Sequence, residues 1–226
     1  MKDAACHIAI FAKAPVPGLA KTRLAPALGA QGAAALAERL LNHAVAQAVA
    51  AGLGPVTVWA TPDVTHPAFT RLQAQHRVRL AVQCDGDLGA RMAAAFARTL
   101  ADDPATPMLL MGSDAPALDA AMLRQAAAAL RDHAVVFVPA LDGGYALVGL
   151  QAPLPPIDSL QAALRPLPPL RPLQALFNDR VWSTPQVMAR TRARLAAAGL
   201  AHHELPAVAD IDEPADLAHL PPGWRR

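Results

Sequence analysis

The sequence lacks any long uncharged apolar segment. Hydrophobic residues make up 54% of the 226 positions, but no stretch of about 18 of them runs without a polar or charged residue, so we expect no membrane-spanning helix. The segment from Met1 to Ala12 has one lysine followed at once by Asp3, a poor match to a secretory signal peptide. These absences predict a cytoplasmic protein that does not associate with membranes.

Cysteine and net charge are also scarce. Cys6 and Cys84 form no CxxC pair and stand near no histidine cluster, which argues against a disulfide framework or a structural zinc site. We expect both to be small core residues. The formal net charge of +2 is too weak to predict a nucleic-acid-binding surface. Its distribution is more informative, because Lys13, Lys21 and Arg23 fall together near the start.

Short apolar runs alternate with helical patterns through the first 150 residues. The patterns predict strands at 7–11, 56–60, 78–83, 108–111 and 135–138, and helices at 30–51, 67–75, 90–100 and 119–130. The runs at 108–111 and 135–138 are continuous, as expected of parallel strands buried on both faces. This alternation predicts α/β architecture: a single domain over residues 1–226 with a mixed, mainly parallel sheet flanked by helices.

Proline interrupts the alternation after residue 150. The seven prolines between 153 and 172 cannot occupy helix interiors or central strands. We expect a loop at 151–172 that either covers a substrate or contacts a second subunit, which leaves a homodimer open. Beyond it, the pattern predicts a helix near 184–198 ended by Gly199, a strand around 203–205 and a short helix beginning at Pro214.

The loop after the first strand is the first candidate for a binding site. Ligands of open α/β sheets bind at the carboxyl ends of the strands. This loop contains Gly18 together with Lys13, Lys21 and Arg23, whose positive charges would face phosphate oxygens. The alternative interpretation is a solvated basic turn. The loop lacks the GK[ST] ending of a P-loop.

Two aspartates stand where a carboxylate can bind a divalent cation. Asp114 follows the buried run 108–111, a position suited to Mg²⁺ or Mn²⁺ that bridges two phosphates. The alternative role, capping the next helix, already has a candidate in Asp119. Asp212 precedes the last predicted helix and is either a second metal ligand or an N-cap.

Two further loops combine aspartate with glycine. The turn Asp-Gly-Gly-Tyr at 142–145 joins two apolar strands and is either an ordinary hairpin or a place where a ligand approaches the backbone. Asp87 and Gly89 stand at the start of a helix whose N-terminus could face a base or a phosphate. Helix capping alone would explain most of that second pattern.

Six segments, taken in order, resemble one family over nearly the whole chain. They are FAKAPVPGLAKTRLAP, DLGARM, GSDAP, PALDGGYALVGL, FNDRVWSTPQV and DIDEPADL. The sequence is similar to the rSAM/selenodomain-associated transferases, a group of the nucleotide-diphospho-sugar transferase superfamily. The resemblance implies the GT-A fold, which is Rossmann-like, and a metal-dependent transferase that carries a sugar from an NDP-sugar to a small-molecule acceptor.

The resemblance also implies residue roles. Asp114 and Asp212 match metal ligands, and the basic loop is similar to the phosphate-binding loop of nucleotidyltransferases, including the phospholactate guanylyltransferases. Together with the positions of the loops, this leads us to assign catalytic roles to Asp114 and Asp142. Nucleotide- and phosphate-binding roles are assigned to Lys13, Gly18, Lys21, Arg23, Asp87 and Gly89. The acceptor or sugar would contact Gly143, Gly144 and Tyr145.

The chemistry of the basic loop keeps a second reaction open. A pyrophosphate leaving group benefits from extra cations, so the loop favours nucleotidyl transfer from an NTP, whereas the resemblance favours glycosyl transfer. The loop ends in KTRL and lacks the GxGxR pattern of sugar nucleotidyltransferases, so the nucleotide base is not specified. A nucleotide-binding protein without catalytic activity is the third hypothesis.

Overall fold

The computed structural model describes residues 5–152, 176–177, 179, 181–182 and 184–224. The strands are β1 (His7–Lys13), β2 (Val56–Thr61), β3 (Arg79–Val82), β4 (Met108–Gly112), β5 (Val135–Pro139), β6 (Tyr145–Leu150) and β7 (His202–Glu204). The α-helices are α1 (Ala25–Ala51), α2 (Pro67–His76), α3 (Leu88–Asp102), α4 (Ala120–Ala129) and α5 (Val187–Ala197). Short 3-10 helices span Thr22–Leu24 and Pro214–His219.

The strands form one seven-stranded sheet in the order β3-β2-β1-β4-β6-β5-β7. β1 is parallel to β2 and β4, β2 is parallel to β3, and β5 is parallel to β7. Among the described strands, β6 alone runs antiparallel to its neighbours, β4 and β5. The predicted α/β fold with a mixed, mainly parallel sheet is confirmed. The loops that leave β1, β4 and β5 therefore meet at one edge of the sheet.

Helices cover both faces of the sheet. Ile8 and Ile10 of β1 are buried in a cluster that includes side chains from α1, α2 and α4. Ala9 and Phe11, which alternate with them, belong to a second cluster with side chains from α3 and α5. The two layers bury apolar surface on both sides, so ligands reach the sheet at its edges.

Helix α1 begins earlier than the sequence pattern predicts. It starts at Ala25 instead of residue 30. The additional first turn is joined to the rest of the helix by a kink at Gly29, whose φ of 70° interrupts the helical backbone. Such a positive φ favours glycine, which has no Cβ to clash. The kink separates the first turn from the regular alanine-rich pattern, which explains why that pattern indicated only the later part.

The boundaries of the other predicted elements agree with expectation to within a few residues.

The prediction that both cysteines lie in the core needs one correction. Cys6 is buried as predicted, but Cys84 is exposed, so its assignment to the core is wrong. Cys84 follows β3, an edge strand, and lies in a solvent-facing loop. The loop expected at 151–172 lies outside the described residues from position 153 onward.

None of the helices in the described part of the chain is both long enough and apolar enough to span a bilayer.

Candidate functional site

A cleft of about 530 Å³ opens at the edge where β1, β4 and β5 end. Its walls come from the loops after these strands, the beginnings of α3, β6 and α5, and the segment before the 3-10 helix at 214–219. Pockets of about 300–1,000 Å³ are typical of small-molecule sites. The topology thus brings most of the sequence-predicted loops to one cavity.

Lys21 lies between Asp114 and Asp212 in this cleft. Its Nζ is 3.1 Å from Oδ2 of Asp114 and 2.6 Å from Oδ1 of Asp212. Because both oxygens bond to one nitrogen, they lie within about 6 Å of each other. The Lys21 side chain is only 13% exposed, while the side chains of Asp114 and Asp212 are 34% and 44% exposed. Residues 93 and 191 positions from Lys21 thus meet at one ammonium group.

Backbone contacts explain how two distant aspartates meet. The amide of Ile211 donates to the carbonyl of Asp114 at 3.0 Å, which fixes the C-terminal segment beside the loop after β4. Ile211 is fully buried against Leu24 and Leu40, and this packing anchors the same segment. The segment also pairs with the strand end at Ala140 through Val208. Asp212 is therefore held at the cleft by hydrogen bonds and by apolar burial.

Helix capping is assigned to other carboxylates. Asp119 accepts a hydrogen bond from the Met122 amide at 2.8 Å and caps α4. Glu213, with Asp216, forms the capping box of the 3-10 helix that begins at Pro214. The capping alternatives for Asp114 and Asp212 are therefore taken by their neighbours, and both carboxylates face Lys21.

The surroundings of Lys21 keep it charged. Burial alone would lower the pKa of its ammonium group, but the attraction and hydrogen bonds of Asp114 and Asp212 outweigh burial and raise that pKa above its usual value. Position 112 also limits the geometry, since a Cβ on Gly112 would lie 2.7 Å from Oδ1 of Asp114. Glycine there leaves room for the carboxylate.

Asp210 is a cleft residue to which the sequence assigned no role. Burial, followed by the charges of Asp142, Asp114 and Asp212, raises its pKa to about 6. The sequence signal was its place in the acidic run before Pro214. Four aspartates thus influence one another here, although within the described residues no set of three or more acidic, histidine or cysteine side chains forms a metal centre.

The turn at 142–145 is a hairpin, as the first interpretation predicts, and it also forms part of the cleft wall; approach of a ligand to its backbone remains a prediction. It connects β5 to the antiparallel β6, and Oδ1 of Asp142 accepts from the amide of Gly144 at 2.8 Å. Asp142, Gly144 and Tyr145 line the cleft. Gly143 instead packs against the chain: its φ is 92°, and a Cβ would lie 2.1 Å from the Pro185 carbonyl oxygen.

The segment before α5 supplies a wall that the sequence analysis missed as a site. Trp182 and Thr184 both line the cleft. The Trp182 indole N–H donates to the Asp179 carbonyl at 3.0 Å, and the Asp179 carboxylate is bound by Arg190 and Arg194 of α5. The FNDRVWSTPQV motif was the signal, but its ion pairs with α5 are tertiary contacts that spacing does not reveal.

The half of the cleft beside Trp182 is largely apolar. Trp182, Tyr145 and Met92 belong to one apolar cluster, and Leu88 and Val187 also line this part of the wall. Burial raises the pKa of the Tyr145 hydroxyl above its usual value. Within the described residues, Oγ1 of Thr184 is buried without a hydrogen-bond partner. A buried hydroxyl without a partner costs roughly 1–3 kcal/mol.

The other sequence-predicted residues divide into two groups. Lys13 and Arg23 line the cleft with Lys21. Gly18 occupies a turn with a φ of 77° and is not part of the lining, Asp87 caps α3 through the Ala90 amide, and Gly89 is buried beneath Trp182. A Cβ on Gly89 would lie 2.4 Å from the indole ring. The nucleotide-binding roles of these three residues remain predictions.

The sheet and its cleft define an α/β protein of the fold that nucleotidyl- and glycosyltransferases share. Residues 44–184 match the family DUF2064, described as an uncharacterized protein conserved in bacteria, and the chain belongs to that family. No curated protein matches the chain significantly.

Solved structures show the same architecture. A protein of Desulfovibrio desulfuricans G20, provisionally described as a nucleotide-diphospho-sugar transferase, is 25% identical, with a TM-score of 0.78 over 99% of this chain and 91% of that one. CMP:2-keto-3-deoxy-manno-octonic acid synthetase complexed with CTP is 16% identical, with a TM-score of 0.51 over 96% of each chain. A 4-diphosphocytidyl-2C-methyl-D-erythritol synthase from Anaerococcus prevotii is 9% identical, with a TM-score of 0.59 over 100% of each chain. The latter two show the fold alone.

Proposed function

We propose that this protein is a metal-dependent transferase that carries a sugar from an NDP-sugar to a small acceptor. The observation that carries this proposal is the meeting of Lys21, Asp114 and Asp212 in a cleft at the carboxyl ends of the parallel strands. The Desulfovibrio desulfuricans neighbour and the resemblance to the rSAM/selenodomain-associated transferases support it. In this fold the strand ends are where ligands bind.

The charged half of the cleft suits the diphosphate of the donor. Carboxylate oxygens are the ligands that Mg²⁺ prefers, and one or two of them, completed by phosphate oxygens and water, are its usual set in proteins. Asp114 and Asp212 would hold Mg²⁺ or Mn²⁺ in this way, and Lys13 and Arg23, which line the same cleft, would contact the phosphates. The bound cation would supply Lewis-acid stabilisation of the diphosphate leaving group.

The part of the cleft beside the turn at 142–145 and Trp182 suits the acceptor and the transferred sugar. Asp142 faces the cleft from the turn before β6 and is our candidate for the group that accepts the proton of the acceptor hydroxyl. Gly144 and Tyr145 adjoin it, and Trp182 would pack against the body of the bound molecule. An aromatic ring gives a bound molecule a large apolar contact.

Nucleotidyl transfer from an NTP is the second candidate reaction. The specific observation that favours it is the convergence of Lys13, Lys21 and Arg23 on one cleft. A metal ion can largely neutralise a departing nucleoside diphosphate, whereas a departing pyrophosphate benefits from additional cations. Here Asp142 would face the phosphorylated acceptor.

Thermal unfolding with a panel of ligands separates these reactions. The purified protein would be heated with Mg²⁺ or Mn²⁺ and each NTP or NDP-sugar, because a ligand at about 100 times its dissociation constant stabilises by about 2.7 kcal/mol. We expect one or more NDP-sugars to give the largest shift in Tm and then to be turned over with an acceptor. Preference for NTPs over every NDP-sugar would replace the proposal by nucleotidyl transfer. Tight binding without turnover would indicate a nucleotide sensor.

A further inference from the structure

We propose that Lys21 is a resident counter-ion of the Asp114 and Asp212 pair and that it must leave the pair before a divalent metal binds there. On departure its ammonium group moves to the phosphates of the donor. This inference rests on the proposed function, since it takes the two aspartates as the metal ligands. It adds that the metal and the donor promote each other's binding, because the metal displaces the ammonium group and the phosphates of the donor receive it.

The distances show that the ammonium group and a metal compete for one position. Nζ of Lys21 is bonded to Oδ2 of Asp114 and Oδ1 of Asp212 at 3.1 and 2.6 Å. A metal ion held by these two carboxylates would need the space that the ammonium group fills. Oδ2 is the oxygen of Asp114 that Lys21 contacts, while Oδ1 lies where a Cβ on Gly112 would come within 2.7 Å of it.

The local chain allows the exchange without a rearrangement of the fold. Lys21 ends a loop, immediately before the 3-10 helix at 22–24, and its four-carbon side chain reaches the aspartates from a left-handed backbone with φ of 46°. Rotation of the side chain alone can redirect the ammonium group within the cleft. Lys13 and Arg23 line that cleft as well, so phosphates bound by them would lie in the same cleft as the Lys21 ammonium group.

The charge balance makes each half of the exchange depend on the other. If Lys21 left without a replacement, Asp114 and Asp212 would face each other as like charges, with Asp142 and Asp210 nearby. If a metal arrived without phosphate, the displaced ammonium group would lose both partners. The metal alone should therefore bind weakly, and metal and donor should each raise the affinity of the other by the same factor.

Mn²⁺ binding in the absence of nucleotide tests this exchange. The free Mn²⁺ concentration would be followed by electron paramagnetic resonance during titration of the wild type, Lys21→Met and Lys13→Met. We expect Lys21→Met to bind Mn²⁺ about tenfold more tightly than the wild type, since a competing cation is gone. The matched control Lys13→Met also removes one positive charge from the cleft but leaves the pair intact, and its Mn²⁺ affinity should change much less. Adding Asp114→Asn to Lys21→Met should abolish the gain.

The possible results separate this inference from the proposed function. Equal Mn²⁺ affinity in the wild type and Lys21→Met would overturn the exchange while leaving the metal site in place. No Mn²⁺ binding to either protein would contradict the metal site itself, and with it the proposed function. If Lys21→Met is poorly folded, Lys21→Gln and the rise in Tm on adding Mn²⁺ give the same decision: the rise should be larger in the variant than in the wild type.

Discussion

At the scale of single residues, Arg23 allows the effect of its charge on ligand binding to be measured with little effect on folding. Its guanidinium group lines the cleft, is 65% exposed and lies 3.7 Å from Glu213, an ion pair that contributes little to stability at such exposure. The energetic consequence of its charge should therefore fall on ligand binding and not on folding. Lys21 is less suited to this test, because its removal also disturbs Asp114 and Asp212.

Replacing Arg23 by alanine should weaken binding of a nucleoside diphosphate several-fold and leave binding of the bare nucleoside nearly unchanged, because the guanidinium group would contact phosphate. Calorimetric titration with both ligands measures this difference. Arg71→Ala is the matched control, since Arg71 pairs with Glu38 away from the cleft. Equal losses for nucleoside and diphosphate would remove Arg23 from the phosphate-binding set.

The element that matters most for the apolar half of the cleft is the segment anchored to α5. The Asp179 side chain is only 3% exposed and binds Arg190 and Arg194 of that helix, while its carbonyl holds the Trp182 indole. Hydrogen bonds from Arg190 and then Arg194 lower the pKa of Asp179 well below its usual value. The carboxylate thus fixes the wall of the cleft from behind.

Asp179→Asn should destabilise the protein by about 1–3 kcal/mol near neutral pH, because charge-assisted hydrogen bonds from Arg190 and Arg194 are weakened while both arginines stay partly exposed. The stabilisation belongs to a carboxyl whose folded pKa is depressed, so it is fully present above the unfolded pKa of about 4 and fades as the pH falls below that value. Urea unfolding of both proteins at about pH 7 and about pH 3 measures the trend. A penalty that grows on acidification would contradict the assignment.

The contact between α3 and the same segment gives a second element-scale test. A Cβ at position 89 would meet the indole ring of Trp182 at 2.4 Å and the backbone oxygen of Phe177 at 2.5 Å. Gly89→Ala should therefore displace Trp182 and cost about 1–3 kcal/mol, as overpacking does. Tryptophan fluorescence and thermal unfolding report both effects. Gly32→Ala, on α1, is the comparison, because only a side-chain carbon lies near its added Cβ, at 3.1 Å; an unchanged Trp182 signal in Gly89→Ala would contradict the packing.

At the scale of the whole molecule, the parallel sheet and the position of Asp114 can be predicted from the sequence, but the meeting of distant segments cannot. Alternating apolar runs predict a parallel sheet, and Asp114 is recognisable because it follows a buried run. The meeting of Asp212 with Lys21 depends on the Ile211 to Asp114 backbone bond and on burial of Ile211, contacts between segments far apart in sequence. Periodicity carries no information about such pairings, so the contact of Asp212 with Lys21 could not be predicted from the sequence.

The wall formed by Trp182 and Thr184 could not be predicted from local sequence pattern. These residues follow a proline-rich stretch without periodicity, and their place in the cleft is set by the ion pairs of Asp179 with α5. Local pattern predicts neither the pairs nor the orientation of the indole ring. Asp210 was visible in the sequence as one carboxylate among several, but its raised pKa arises from burial and from aspartates on other loops.

We propose that Asp114 holds a divalent metal that binds together with the phosphates of a nucleotide donor. The most direct measurement is the calorimetric affinity of the wild type and Asp114→Asn for the nucleotide that gives the largest thermal shift, each with and without Mg²⁺. The substitution is nearly isosteric, so unfolding curves should agree closely. We predict that Mg²⁺ strengthens binding to the wild type at least about tenfold and leaves binding to Asp114→Asn almost unchanged. The same Mg²⁺-dependent gain in both proteins would contradict the account.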